Sequence, residues 1–330
     1  MKLRTLVFAF IVIFAFAMWG AILRFAATHT TGAGRTPTIT LAEARKLHTT
    51  HLSQVLRDSD PVEKPDRSDV ELVHYPGPLG QLPGYVCKPA RAATKSPPRH
   101  PAIIWLVGGL GNGLSSGAWT PEPPKNDQSA MVFWEEGVFT MHPSLRGRNG
   151  AAGSHESDYG EVDDILAARA YLATRADVDP NRIYLGGHST GGTRALLVAE
   201  CSPAFRAVFA FGPVADTASY GSESIVFDSK DATERKLRAP IYWLQDIRTP
   251  TFVIEGDHDP SNVTDLRGMQ RVNHSPFVHF HEIKRGTHFT SIQPMSRLIA
   301  QKILADTGPT CAIQFSVDEL ARLIGTAKVQ

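Results

Sequence analysis

The sequence predicts an α/β fold, a mostly parallel central sheet with helices on both faces and an insertion over its top edge. Two observations carry this expectation. From Pro101 onward, short apolar runs alternate with helical stretches, the pattern of strands joined by crossover helices. Within that pattern, "NRIYLGGHSTGGTRALLVAE", Asn181 to Glu200, passes from a β-prone run through glycine pairs into a helix-forming run. No internal repeat interrupts the alternation.

The elements follow in order. Lys2 and Arg4 precede "LVFAFIVIFAFAMWGAIL", Leu6 to Leu23, a run without a charge. As a helix it would extend about 27 Å, close to the hydrocarbon thickness of a bilayer. Residues 1–25 therefore read as a retained membrane anchor in preference to a cleaved signal segment: the Ala15-x-Ala17 pair lies inside the apolar run, and no polar region follows it. The rest of the chain is then expected on the extracytoplasmic side. Residues 26–69 read as a tether, a helix over Thr40 to Leu56 capped by Thr40, and a solvated linker broken by proline. From residue 70, "VELVHY" and "LPGYVCKP" flank the turn "PGPLG". The further strands expected are "AIIWLV", the latter part of "MVFWEEGVFTM", "RIYLGG", "FRAVFAFG", "TFVIEG" and "FVHFHEI"; the clearest helix is Gly160 to Ala176. Ala215 to Pro250 is long for a simple crossover and is assigned to the insertion.

Composition narrows the function. The chain has 330 residues, 42% hydrophobic and 20% charged, enough for a sizeable core. A net charge of +1, with no basic tract interleaved with aromatics, speaks against a nucleic-acid partner. Cys87, Cys201 and Cys311 lie far apart with no CxxC, which argues against a zinc site and a dense disulfide framework. The glycines at 108, 109, 111 and 113 lack both the GxGxxG form and a following G-K-[ST], so no nucleotide cofactor is expected.

Gly187-His188-Ser189-Thr190-Gly191 is G-x-S-x-G at a strand-to-helix junction, the setting a nucleophile elbow requires. Side chains two before and two after the serine would collide with neighbouring backbone, hence Gly187 and Gly191. A glycine-rich turn with an incidental serine is the plainer alternative, and the flanking strand and helix weigh against it. A serine hydroxyl needs a base, itself oriented by an acid, in the chain order serine, acid, histidine. "TFVIEGDHDPSN" offers Asp257 and Asp259 in a turn past a strand, where either could simply be a turn former. "FVHFHEIKRGTHFTSI" offers His288 in a loop past the next strand. His279 and His281 alternate on that strand and form only a weak metal pair, with packing or surface roles preferred. For the developing oxyanion, the N–H groups of Gly109 and Thr190 are the candidates.

These blocks resemble the catalytic domain of the prolyl oligopeptidase family within the α/β-hydrolase superfamily, over about Val70 to Thr307. "PAIIWLVGG", "SLRGRNGAAGS", "YGEVDDILAARAYLATRADVDPNRIYLGGHSTGG", "TPTFVIEGDHD" and "GTHF" carry the likeness. The resemblance implies an α/β-hydrolase fold for residues 70–330, with Ser189 as nucleophile, Asp259 as acid and His288 as base. It also implies Gly109 and Thr190 as the oxyanion donors, with no cofactor and no metal. Two features depart from the family: too few residues precede the first strand for a β-propeller, and Val107 stands where some members carry tyrosine or histidine. The expected activity is therefore hydrolysis of a small ester or short peptide-like amide through an acyl-enzyme. The alternatives are a prolyl oligopeptidase-type peptidase and a catalytically silent binding protein. Tyr220, Ile225, Phe227, Tyr242, Trp243 and Leu244 are candidate walls of an acyl pocket. The oligomeric state is left open.

Overall fold

The apolar runs pair into an eight-stranded sheet of order β1-β2-β4-β3-β5-β6-β7-β8. The strands are β1 Val70–Gly77, β2 Gly80–Cys87, β3 His100–Leu106, β4 Phe139–Pro143, β5 Val178–His188, β6 Val208–Phe211, β7 Thr251–Gly256 and β8 Val278–Ile283. β1 and β2 are antiparallel, and β2 meets β4 antiparallel; from β4 across to β8 every pairing is parallel. The computed structural model describes residues 39–89, 99–109, 113–120 and 122–324. The apolar run Leu6 to Leu23 lies outside these residues, and no described helix is long and apolar enough to cross a membrane.

The strands of the parallel half are buried on both faces, as such sheets require. In β3 the alternation is plain: Ile104 and Leu106 join one core cluster, while Ile103 and Trp105 join the other. The first face is covered by α3 Glu161–Thr174 and α4 Thr190–Cys201, the second by α2 Met131–Glu136 and α7 Ile292–Ala305. All of α4 from Thr190 to Glu200 is buried, so the helix after the elbow shows no polar face. Chain direction reverses at β3: the next strand, β4, lies on one side of it and β5 on the other. The loops after β3 and β5 therefore diverge, and the crevice between them is where open α/β sheets place their sites.

The expected helix over Thr40 to Leu56 is shorter than its apolar spacing implied. Thr40 does cap it, in a reciprocal box with Glu43, but α1 runs only over Leu41–Lys46. Beyond it the chain is an extended strap whose polar groups are satisfied by the domain beneath. Glu234 accepts from the Thr50 hydroxyl at 2.8 Å and from the His51 N–H at 2.8 Å, and pairs with His48 at 2.7 Å. Leu52 bridges to Phe227, and Asp58 pairs with Arg148 at 2.9 Å. The linker that follows is also stitched down, with Tyr85 donating its hydroxyl to the Glu63 carbonyl at 2.5 Å.

Between β6 and β7 the described chain is an excursion of short helical turns, including α5 Ala232–Lys236, as the length of this stretch predicts. Its fully buried Arg238 lies between the rings of Tyr159 and Phe227, at 4.8 and 4.5 Å, and pairs with Glu234 at 2.5 Å. Ile225, Phe227, Trp243 and Leu244 are buried, and the last two belong to the main core. They serve as packing, so the acyl-wall expectation does not hold for these four. Among the described residues, Tyr220 is the one of the six whose side chain hydrogen-bonds the elbow helix, through Thr193. Tyr242 points outward. On β8, His279 and His281 stack on Phe252 at 5.2 and 6.0 Å. Cys87, Cys201 and Cys311 are unbridged.

Candidate active site

β5 ends at His188 and α4 begins at Thr190, so Ser189 is the whole turn between them. Its backbone stands at φ 55 and ψ −116, a conformation that L-residues avoid and that persists only where surroundings impose it. The imposing groups are close backbone crossings. A Cβ on Gly187 would strike the Gly191 carbonyl, and one on Gly191 would strike the Leu106 carbonyl. The Ser189 N–H donates to the Phe211 carbonyl at 2.8 Å, which ties the turn to β6. The hydroxyl is left half-buried at the C-terminal edge of the sheet, at the N-terminus of α4, where the dipole favours negative charge.

His288 lies in the loop after β8. Its N–H donates to the Pro260 carbonyl at 2.7 Å, and its Nδ1 lies 2.8 Å from Glu255 Oε2. Glu255 is the carboxylate at the end of β7, 2% exposed. Its other oxygen accepts the Gly256 N–H at 2.6 Å, and Asn262 N–H approaches Oε2 at 3.2 Å. A carboxylate can only accept, so His288 Nδ1 carries the hydrogen and Nε2 is the basic nitrogen. Ser189 Oγ and His288 Nε2 are not within hydrogen-bond contact among the described residues. Such contacts commonly close only around substrate.

The carboxylate that meets His288 in the structure is therefore Glu255 and not Asp259, where the sequence placed the acid. Asp259 is exposed and makes no hydrogen bond or ion pair with His288. Asp257 is engaged elsewhere, with His258 Nδ1 at 2.6 Å, the Arg285 N–H at 2.7 Å and Lys284 at 3.3 Å. The turn carries both aspartates outward, while the last interior residue of β7 points at the histidine. A signal was present in the sequence: β7, "TFVIEG", is buried at every position, and a glutamate in such a strand needs a partner.

The two candidate oxyanion donors flank the crevice. Thr190 starts α4, where an N–H has no intrahelical acceptor. Gly109 follows β3 with φ +92, and the Thr190 hydroxyl donates to its carbonyl at 2.5 Å. Among the described residues neither N–H is taken by an acceptor. Behind the site, Arg146 of the loop after β4 clamps Asp164 at the start of α3, with three bonds of 2.9 Å.

Residues 126–270 match the prolyl oligopeptidase family. The matched stretch contains Ser189, Glu255 and Asp259 and stops before His288. Solved structures share the fold. The acylaminoacyl peptidase of Pyrococcus horikoshii superposes with a TM-score of 0.56 at 15% identity, over 76% of this chain and 44% of that one. A puromycin-hydrolyzing peptidase from Mycobacterium tuberculosis gives 0.58 at 18%, over 77% and 42%. A 2,6-dihydroxy-pseudo-oxynicotine hydrolase gives 0.53 at 19%, over 71% and 67%. The chain thus spans less than half the length of either peptidase.

Proposed function

We propose that this chain is a member of the prolyl oligopeptidase family and a serine hydrolase that cleaves small esters or short peptide-like amides through an acyl-enzyme. The observation that carries the reading is the strained Ser189 turn, at φ 55 and ψ −116, with the Glu255–His288 pair in an adjoining loop. Ser189 Oγ attacks the substrate carbonyl carbon as its proton passes to His288 Nε2. Glu255 keeps Nδ1 protonated and stabilises the imidazolium. The carbonyl oxygen, now an oxyanion, accepts from the N–H groups of Gly109 and Thr190. Collapse expels the alcohol or amine, which takes the proton from His288, and water repeats the sequence on the acyl-serine. A fluorophosphonate probe should label the wild type and not Ser189→Ala; an unlabelled wild type refutes the assignment.

Ester cleavage is the preferred reaction. Val107 offers no side-chain hydroxyl before the glycine pair, so the oxyanion rests on backbone donors alone. Amides need more help than activated esters because their leaving group must be protonated. Short-chain p-nitrophenyl esters should therefore show higher kcat/KM than matched prolyl amides. The reverse order would restore the peptidase reading, which the family match favours. We further propose that Leu6 to Leu23 tethers the domain to a membrane with the catalytic part outside the cytoplasm. Retention of full-length protein in membranes through carbonate washing tests the tether. A mature N-terminus near Met18 would replace it with an exported, cleaved form.

A further inference from the structure

The two residues beside Ser189 are each gripped by a different loop of the site. His188 is 1% exposed, and its Nε2 lies 3.0 Å from the main-chain oxygen of His288. A carbonyl oxygen only accepts, so Nε2 carries the hydrogen. Burial, and then the neighbouring His288, push the His188 imidazole well below its ordinary range. The ring is thus neutral with a bare Nδ1, which lies 3.1 Å from Gln128 Oε1. A Gln128 amide turned about its last bond, with the Asn126 amide it meets at 3.2 Å turned as well, offers that nitrogen an N–H. The ring lies 4.4 Å from the His288 ring and fills the space beside Gly108, where a Cβ would stand 2.8 Å from His188 Nδ1. On the other side of the serine, the Thr190 hydroxyl donates to the Gly109 carbonyl at 2.5 Å.

We propose that His188 and Thr190 are positioning residues with separate duties: the His188 ring sets the main chain of His288, and the Thr190 hydroxyl sets Gly109 in the oxyanion loop. The proposal rests on acyl transfer at Ser189. His288 is held at three points by three elements: its N–H by Pro260, its ring by Glu255 and its carbonyl by His188. Without the third, the residue is free to turn about the other two, and the Glu255 contact loosens. Misplacement by about 1 Å at such a centre costs on the order of 10²-fold in rate. Thr190 acts on the other half of the site. Its hydroxyl bonds neither base nor acid among the described residues, so its loss leaves the contacts of His288 in place.

The test measures kcat and KM for p-nitrophenyl acetate, per active site titrated with fluorophosphonate so that misfolded protein is not counted. His188→Phe keeps a flat ring and removes the donor. It should lower kcat about 10²-fold and leave KM nearly unchanged. His188→Gln puts an N–H near the Nε2 position and should recover at least roughly a tenth of the wild-type rate. Thr190→Val should lower kcat with KM nearly unchanged, and Thr190→Ser should restore kcat. A labelled wild type with His188→Phe at full rate overturns the proposal alone. So does a Gln variant no better than Phe, or a Val variant equal to wild type. An unlabelled wild type overturns acyl transfer and this proposal together.

Discussion

The Ser189 turn and the Glu255–His288 pair are built by opposite means. The turn is local: five consecutive residues, 187 to 191, contain the nucleophile and the two glycines that let backbone cross backbone. The pair joins residues 33 apart in sequence, Glu255 at the end of β7 and His288 in the loop after the neighbouring parallel strand β8, and depends on β7 and β8 being in register from Thr251–Val278 to Gly256–Ile283. A local device is fixed by the residue types within it. A long-range one is fixed by sheet register, which decides which carboxylate at a strand end meets the imidazole. The two should therefore fail differently when altered.

The largest effect belongs to the local half. Ser189→Ala should reduce ester turnover by on the order of 10⁶-fold, and adding His288→Ala should cost little more, because nucleophile and base act as one unit. Steady-state rates of the two single variants and the double variant measure this. Losses that multiply would show the serine and histidine working independently and would break the pairing of the two regions.

The long-range half gives the next effect. Glu255→Gln keeps the shape but offers the wrong partner to Nδ1, with a loss of about 10⁴-fold in kcat expected from tautomer control of this kind. Asp259→Asn should change the rate by no more than about twofold, as for an exposed residue without partners. The reverse ranking in the same ester assay would return the acid to Asp259 and show that the loop after β7 rearranges during turnover.

What could be read from the sequence follows the same division. The elbow, the parallel sheet and α3 are local or periodic, so glycine spacing and apolar alternation disclose them. Glu255 was hidden because two turn aspartates, 257 and 259, are more conspicuous acids than one glutamate inside an apolar strand, and only the register separates them. The strap was hidden for the same reason. Thr40 and Glu43 announce the start of α1, but nothing nearby announces that Thr50 and His51 give their hydrogens to Glu234. Ile225, Phe227, Trp243 and Leu244 of the excursion are buried packing, which a sequence cannot distinguish from the wall of a pocket.

The smallest effect on rate is expected at the strap, where the long-range principle is expressed in stability. Burial opposes a charge on Glu234, but hydrogen bonds from His48, the His51 N–H, Thr50 and Arg238 outweigh it and hold the carboxyl down, from 4.5 to about 2. A carboxyl depressed in the folded chain stabilises it fully above the unfolded value, and that stabilisation is lost as pH falls from about 4.5 toward 2. The shift corresponds to on the order of 3 kcal/mol. Glu234→Gln also leaves Arg238 without a counter-charge between its two rings, and breaking a buried pair in this way costs about 3–5 kcal/mol. At pH 6 the variant should thus be less stable in urea by about 3 kcal/mol, with ester turnover per active site unchanged, because among the described residues the strap makes no hydrogen bond or ion pair with Ser189, Glu255 or His288. By pH 3.5 the gap between variant and wild type should narrow by about 1 kcal/mol, since the wild type is already losing the same charge. Paired urea titrations at the two pH values decide it. A gap that stays constant would mean that Glu234 holds the strap by shape alone, and a gap that widens on acidification would give the titration the wrong sign.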